Sequence, residues 1–180
     1  MVSTKHTLVA LVQDKPGVLN RMVSLFRRRG FNIASIAVGS SEIPGFSRVT
    51  FVVDGDLIMV EQVRKQLLGK VLEVIKVVDI TDEDIVVREL ALIKVKALSS
   101  DRNEIIQIVD VFKADIEDVS ADSLTIEITG TEGKINSFVD LIRPFGIKEM
   151  VRTGRIAMTR GSGGSVEEKP TKTPSGSGMG

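Results

Sequence analysis

The hydrophobic pattern of this chain occurs twice, and that repeat constrains the fold more than any other feature. Short β-rich apolar runs and helical stripes follow one another in the order strand, helix, strand, strand, helix, strand, and the second half repeats that order. Two βαββαβ units predict an α+β protein of two tandem ferredoxin-like modules. Each module should be an antiparallel four-stranded sheet with both helices on one face.

The elements are placed by their periodicity. Apolar residues at i, i+3, i+4 and i+7 predict the first helix of each half, namely Leu19, Met22, Val23 and Phe26, then Ile105, Ile108, Val109 and Phe112. Asp101 followed by Glu104 predicts a reciprocal cap at the start of the latter helix. Strands are expected at residues 7–13, 32–40, 47–54, 71–80, 89–97, 123–129 and 146–159.

Composition and charge divide the chain into four segments. We expect a first module over residues 1–80, a linker over residues 81–88 that begins at an acidic break, and a second module over residues 89–160. Residues 161–180 are rich in Gly, Ser, Pro, Thr and Lys. Because such a segment buries too little apolar surface to offset the entropy of ordering, it predicts a disordered tail.

The first predicted strand is apolar on both of its faces. Residues 8–12 are all apolar, as are Val77 and Val78 on another strand of the same sheet. An antiparallel sheet that faces water would show polar residues at alternate positions. The sheet face opposite the helices is therefore expected to be bare and to need cover from a second copy or another chain.

Charge and cysteine content exclude several functional classes. The 24 basic and 24 acidic side chains balance, which argues against a general nucleic-acid binder. The absence of cysteine excludes disulfides, thiolate nucleophiles and cysteine-ligated metals. The longest apolar run is five residues, far below the roughly 20 that cross a bilayer. A cytoplasmic protein without membrane or nucleic-acid partners is expected.

Residues that could support catalysis are scarce. His6 is the single histidine and, within a polar segment, is expected to be a solvated strand residue rather than a catalytic group or a metal ligand. The run at 130–135, GTEGKI, has only two residues between its glycines, where a phosphate-binding loop needs four. It is interpreted as a helix start capped by Thr131. No catalytic or metal site is predicted.

The turn at 14–19, DKPGVL, joins the first strand to the first helix and is the most informative segment. Asp14 can cap the helix, Pro16 suits its first turn, and Gly17 allows a ligand to approach the backbone. Free amides at the positive end of a helix suit a carboxylate, and Asp14 or Asn32 suits an ammonium. The turn is therefore compatible with a zwitterion. Alternatively, Asp14 is only a cap, Gly17 a tight-packing position and Asn32 a turn residue.

Three segments carry a family resemblance: LVQDKPGVLNR at 11–21, LFRRRGFNI at 25–33 and SRVT at 47–50. Together they resemble the ACT domain of the small regulatory subunit of acetolactate synthase, also called acetohydroxyacid synthase. The similarity continues through residues 87–95 and 130–135 into the second module. The two-module length resembles the bacterial form of this family.

The resemblance implies a non-catalytic subunit in branched-chain amino-acid biosynthesis. Such a subunit binds a separate large catalytic subunit, raises its activity and confers feedback inhibition by valine. It implies a homodimer through the ACT domain, with L-valine between the two copies. Thiamine diphosphate, Mg²⁺ and FAD are implied on the catalytic subunit and no cofactor on this chain. By motif match, valine would be held by Asp14, Gly17, Val18 and Leu19 of one subunit, with Asn32 and Ile33 contributed across the interface.

Two other functional classes remain open. A stand-alone ACT-type amino-acid sensor would bind its ligand without affecting any catalytic chain. A small ferredoxin-like enzyme would turn over a substrate alone, although the sequence offers no convincing set of acid, base and nucleophile. Co-purification with a thiamine-diphosphate enzyme distinguishes the first alternative, and activity of the isolated chain would support the second.

Overall fold

The structure, a computed structural model, describes residues 4–162. The predicted tail therefore lies outside the described residues from residue 163 onward. The described chain forms two compact units, one of residues 4–86 with 156–162 and one of residues 87–155. Each unit contains a four-stranded antiparallel sheet with two helices, which confirms the predicted pair of α+β ferredoxin-like modules.

The first unit follows the predicted order of elements. These are β1 (Thr4–Gln13), α1 (Val18–Arg29), β2 (Asn32–Ser40), β3 (Phe46–Gly55), α2 (Leu57–Lys70) and β4 (Val74–Asp79). The sheet order is β2-β3-β1-β4, so β1 and β3 are central and β2 is an edge strand. All three pairings are antiparallel.

Helix α1 buries one apolar face and stops at a glycine. Met22 and Phe26 are buried as predicted, and the Phe26 and Phe51 rings meet edge to face with centroids 5.4 Å apart. Leu19 and Val23, which the stripe also placed in the core, are instead 44% and 42% exposed. Gly30 ends the helix in the left-handed region (φ 69°), a conformation that glycine adopts without steric cost.

The opposite face of the first sheet is covered, so the predicted bare face is wrong. Val9 and Leu11 of β1, together with Thr50 and Val52 of β3, are buried. A short strand at the end of the described chain, Ile156–Thr159, contacts β3 on this unit. The apolar residues of β1 therefore do not by themselves indicate a second chain.

The second unit contains β5 (Ile85–Lys96), α3 (Arg102–Phe112), β6 (Asp115–Val119), β7 (Ser123–Gly130), α4 (Glu132–Ile142) and β8 (Ile147–Arg152), and β5 begins just before the boundary between the units. The sheet order β6-β7-β5-β8 repeats that of the first unit. The aromatic pair at its core is Phe112 and Phe138, with ring centroids 5.4 Å apart. The Thr131 side chain accepts a hydrogen bond from the Lys134 amide at 3.3 Å, which confirms the predicted cap of α4.

Three sequence predictions need correction at the connections. The linker expected over 81–88 is strand from Ile85 onward. Asp101 has helical dihedrals and does not cap α3, and its carboxylate instead accepts a hydrogen bond from the Ser100 hydroxyl at 2.7 Å. The strand expected over 146–159 is two strands, because Gly154 adopts a positive φ of 80° between β8 and the final strand, β9 (Ile156–Thr159).

Strand β9 groups with the first unit rather than closing the second. It pairs with β5, and the Arg160 amide donates to the Asp84 carbonyl at 2.8 Å. The Arg160 guanidinium also lies 3.1 Å from the Asp84 carboxylate. The segment that ends the described chain is thus held against the start of β5.

Candidate functional site: a cavity at the β1–α1 turn

A shallow cavity of about 80 Å³ opens where β1 turns into α1. It lies beside the DKPGVL turn at residues 14–19, which the sequence predicted to be compatible with a zwitterion. The lining side chains come from the end of β1, the turn, the first turns of α1 and the facing parts of β2 and β3: Val12, Gln13, Asp14, Lys15, Val18, Leu19, Met22, Val38, Ser47 and Val49.

The start of α1 presents unpaired backbone donors next to this cavity. Gly17 precedes the helix at a φ of 82°, no side chain caps it, and the first turn contains no acidic residue. Within residues 4–162, the Leu19 and Asn20 amides have no hydrogen-bond acceptor. Because the N-terminus of a helix also carries the positive end of its dipole, these amides form a site suited to an anionic group.

Asp14 does not cap α1, which corrects the sequence interpretation. Its side chain is exposed at the cavity, and its amide donates to the Gly45 carbonyl at 2.9 Å. The carboxylate is therefore left to interact with a cation. The helix amides suit an anionic group and the Asp14 carboxylate suits a cation, so this end of the cavity offers complementary partners to the two charged groups of an amino acid.

Most of the remaining wall of the cavity is apolar, with Gln13, Lys15 and Ser47 as its other polar members. Val12, Val18, Met22, Val38 and Val49 provide the apolar part, from β1, α1, β2 and β3. In the sheet register Val38 lies directly opposite Val49, so two valine side chains meet at this wall. A small cavity with apolar walls and a few polar groups favours a short aliphatic side chain over a long or charged one.

The sequence-predicted site residues fall into two groups. Asp14, Val18 and Leu19 line the cavity, and Gly17 supplies the backbone turn beside it. Asn32 and Ile33 do not line it, because they begin β2 whereas Val38, near the other end of that strand, reaches the cavity. The Asn32 amide group donates to the Asp54 carboxylate at 2.8 Å, and Ile33 packs against the core.

Sequence reasoning missed the apolar wall. Val12 and Val49 could have been found from strand alternation, because each lies on the helix-facing side of a central strand near the turn. Val38 required the pairing register of β2 with β3, which the sequence does not state. Ser47 likewise reaches the cavity only through that register.

An exposed apolar surface adjoins the cavity. It consists of Leu19 and Val23 on α1 with Ile36 and Val38 on β2, which are 44%, 42%, 36% and 51% exposed, and we call it the α1–β2 patch. Strand β2 pairs with β3 on one side and forms the edge of the sheet on the other. An open strand edge beside exposed apolar side chains is a typical protein-association surface.

A second cavity, of about 250 Å³, has a different character. Leu25, Arg28, Arg29, Gln66 and Lys70 line it, on the helical layer of the first unit. Three cations and no carboxylate line this space, so it is a poor match to an ammonium group. The β1–α1 cavity is the better match to a zwitterion.

His6 is buried, which corrects its interpretation as a solvated residue. The side chain lies on β1, and its Nδ1 is 3.0 Å from Asp79 Oδ2 at the end of β4. The Thr81 hydroxyl donates to the same carboxylate and accepts the Thr7 amide at 2.9 Å. This network ties the edge of the first sheet to the turn that follows it.

Arg48 is a half-buried cation of the first sheet. Its Nη2 donates to the Ala157 carbonyl of β9 at 3.1 Å. Burial lowers the pKa of the Arg48 guanidinium, and the Glu42 carboxylate partly opposes that effect.

Among residues 4–162, no group of three or more His, Cys, Asp or Glu side chains is placed to hold a metal ion. In that same part of the chain, no helix is both long and apolar enough to span a membrane.

Comparison with known proteins identifies the class and then the family. Residues 8–76 match the family model of the AHAS small subunit-like ACT domain, so the first unit is an ACT domain. Residues 88–161 match the model of the small subunit of acetolactate synthase. Since both units match, the chain belongs to the acetolactate synthase small-subunit family.

Individual relatives agree with this assignment. A probable acetolactate synthase small subunit from Archaeoglobus fulgidus is 54% identical over 158 residues, which cover 88% of this chain and 98% of the relative. The acetolactate synthase small subunit of Mycobacterium bovis is 48% identical over 159 residues, with coverages of 88% and 94%. The crystal structure of the Thermotoga maritima small subunit superposes with a TM-score of 0.82 at 43% identity, covering 88% and 99% of the two chains.

Proposed function

We propose that this chain is the regulatory subunit that binds and activates the catalytic subunit of acetolactate synthase and confers feedback inhibition by L-valine. Its role belongs to branched-chain amino-acid biosynthesis. The chemistry, with thiamine diphosphate, Mg²⁺ and FAD, belongs to the catalytic subunit, and this chain is non-catalytic. The observation that carries the proposal is the β1–α1 cavity, in which unpaired helix amides, a carboxylate and an apolar wall converge.

Each part of valine has a counterpart in this cavity. The ligand carboxylate accepts hydrogen bonds from the Leu19 and Asn20 amides, and its ammonium pairs with the Asp14 carboxylate. The isopropyl group packs against Val38 and Val49. One additional methylene in such a pocket changes binding by about 1–3 kcal/mol, so leucine is expected to bind with a partial response.

A homodimer through β2 would complete the site. If the β2 edges of two copies pair antiparallel over their full length, the partner's Asn32 lies opposite Ser40 and the partner's Ile33 opposite Gly39. These positions adjoin Val38 at the cavity wall. The Asn32 side-chain oxygen is then an acceptor for the valine ammonium, because its amide nitrogen is the atom that donates to Asp54. The α1–β2 patch becomes buried in the same interface.

Feedback inhibition follows from a difference in affinity. Valine can shift the equilibrium between two arrangements of the regulatory dimer only by binding one of them more tightly than the other. Allosteric couplings of this kind amount to about 1–3 kcal/mol. Because the site spans two copies, the dimer interface is the element whose arrangement valine selects. The catalytic subunit would then be bound by two arrangements that activate it to different extents.

Calorimetric titration of the purified chain with L-valine tests the proposal. Threonine is the matched control ligand, because it replaces one valine methyl by a hydroxyl, and D-valine tests the stereochemistry. We expect saturable binding that prefers L-valine over both, and a dimer in sedimentation at the same concentration. Equal heats for L-valine and D-valine, or a monomer that binds valine fully, would contradict this description of the site.

A further inference from the structure

One residue of β3 lies between two cavity residues and faces the other way. Ser47 and Val49 line the β1–α1 cavity, and Arg48 stands between them. Because successive side chains of a strand point to opposite faces, Arg48 projects from the sheet face that does not carry the helices. Its register partner on β1 is Leu11, which is buried on that face.

On that face Arg48 holds the final strand. Its Nη2 donates to the Ala157 carbonyl across 109 residues of sequence, and Ala157 is itself buried. A half-buried guanidinium is costly to leave without acceptors, so this attachment resists disruption. Residues 153–155 join β9 directly to β8, the last strand of the second unit.

We propose that Arg48 is a positioning residue that couples occupancy of the β1–α1 cavity to β9 and, through the chain connection, to the second unit. This inference rests on the proposed valine function and concerns the regulation of the same site. A ligand packed against Ser47 and Val49 restricts the motion of β3 at Arg48, which lies between these two residues. The hydrogen bond to Ala157 then transfers that restriction to β9.

The coupling is measurable as a thermodynamic cycle. Valine is titrated into the free chain by calorimetry and into the chain reconstituted with its catalytic subunit by inhibition of acetolactate formation. By linkage, the ratio of the two apparent affinities reports the coupling, which for allosteric systems is typically about 5- to 150-fold. In Arg48→Met the valine affinity of the free chain should stay near that of the wild type, whereas the ratio should fall towards 1.

Two further variants separate coupling from general damage. Arg48→Lys keeps the charge and a donor, and should restore part of the coupling. Arg64→Met is the matched control, because Arg64 pairs with Glu61 within α2 and does not line the cavity. The Arg64→Met chain should confer the same valine inhibition on the catalytic subunit as the wild-type chain does. A purely structural role of Arg48 would instead weaken valine binding to the free chain and to the holoenzyme together.

The wild-type protein provides a test that does not depend on a variant folding. Hydrogen exchange of residues 156–160 should slow when L-valine is added, while residues 115–130 in β6 and β7 should be unaffected. Unchanged exchange at 156–160 in a valine-bound chain, or unchanged coupling in Arg48→Met, would overturn the role of Arg48 alone. Failure of the wild-type chain to bind valine would overturn both this inference and the proposed function.

Discussion

Gly17 allows a charge effect at the proposed site to be separated from backbone strain. Its φ of 82° lies in the left-handed region, where an L-residue costs about 1–2 kcal/mol, with asparagine and aspartate the best tolerated. A Cβ at this position would lie 3.3 Å from Arg21 Nη1, at the far end of a long side chain whose Nη2 donates to the Glu73 carboxylate. Gly17→Asn and Gly17→Asp therefore share the strain and the bulk and differ in one negative charge.

The magnitude follows from the position of the new carboxylate beside the Leu19 and Asn20 amides. If it lies about 4 Å from the valine carboxylate, repulsion costs about 1 kcal/mol in water and about 4 kcal/mol at an effective dielectric constant of 20. That range corresponds to roughly 5- to 1000-fold weaker binding. We expect the lower part of the range, because the turn is exposed and solvent screens the new charge.

Calorimetry with L-valine and inhibition of the reconstituted enzyme measure this difference. Gly17→Asp should lose valine inhibition while Gly17→Asn retains most of it, and both should still activate the catalytic subunit. The two variants should have the same midpoint of thermal unfolding, because the backbone strain at residue 17 is the same in both. Equal valine affinity of the two variants would refute the assignment of the helix amides as the carboxylate site.

Three further predictions address the interface, the second core and the acid response. Val38→Lys should dissociate the proposed homodimer in sedimentation experiments, because it places a charge in the α1–β2 patch. Val111→Lys, at a position 78% exposed on α3, is the control and should sediment as the wild type does. Phe138→Ala should lower the free energy of unfolding by about 3–5 kcal/mol in urea titrations, since Phe138 is fully buried and packs against Phe112. The hydrogen bonds from Arg64 lower the pKa of Glu61 from 4.5 to about 2, so the pair stabilises the fold above pH 4.5 and this contribution is lost as the pH falls towards 2. Glu61→Gln should therefore flatten the decline of stability over that pH range, and an unchanged slope would show that the pair contributes nothing measurable.

The order of elements could be predicted because it depends on local periodicity. Val60, Val63 and Leu67 are buried on α2, and Ile135, Phe138 and Ile142 on α4, as their spacing indicates. The covered first sheet could not be predicted in this way. Strand β9, which contacts β3 on that face, comes from more than 100 residues further along the chain, and nothing in the short run IAMT distinguishes the sheet that it will contact.

The turn of the candidate site could be predicted from the sequence, whereas its apolar wall could not. A glycine before a predicted helix indicates a backbone with positive φ, and the start of a helix implies free backbone amides. Which acceptor caps a helix is decided by tertiary geometry, and this is why Asp14 was misassigned as a cap. His6 was misjudged for a related reason, since its partner Asp79 lies 73 residues away on a neighbouring strand.

Reconstitution with the catalytic subunit tests the central claim most directly. Acetolactate formation is measured for the catalytic subunit alone, with this chain, and with this chain plus L-valine. We predict that the chain raises the rate and that L-valine lowers the rate only in its presence, while D-valine does not. A rate that this chain leaves unchanged, or inhibition by L-valine that does not require it, would contradict the proposed function.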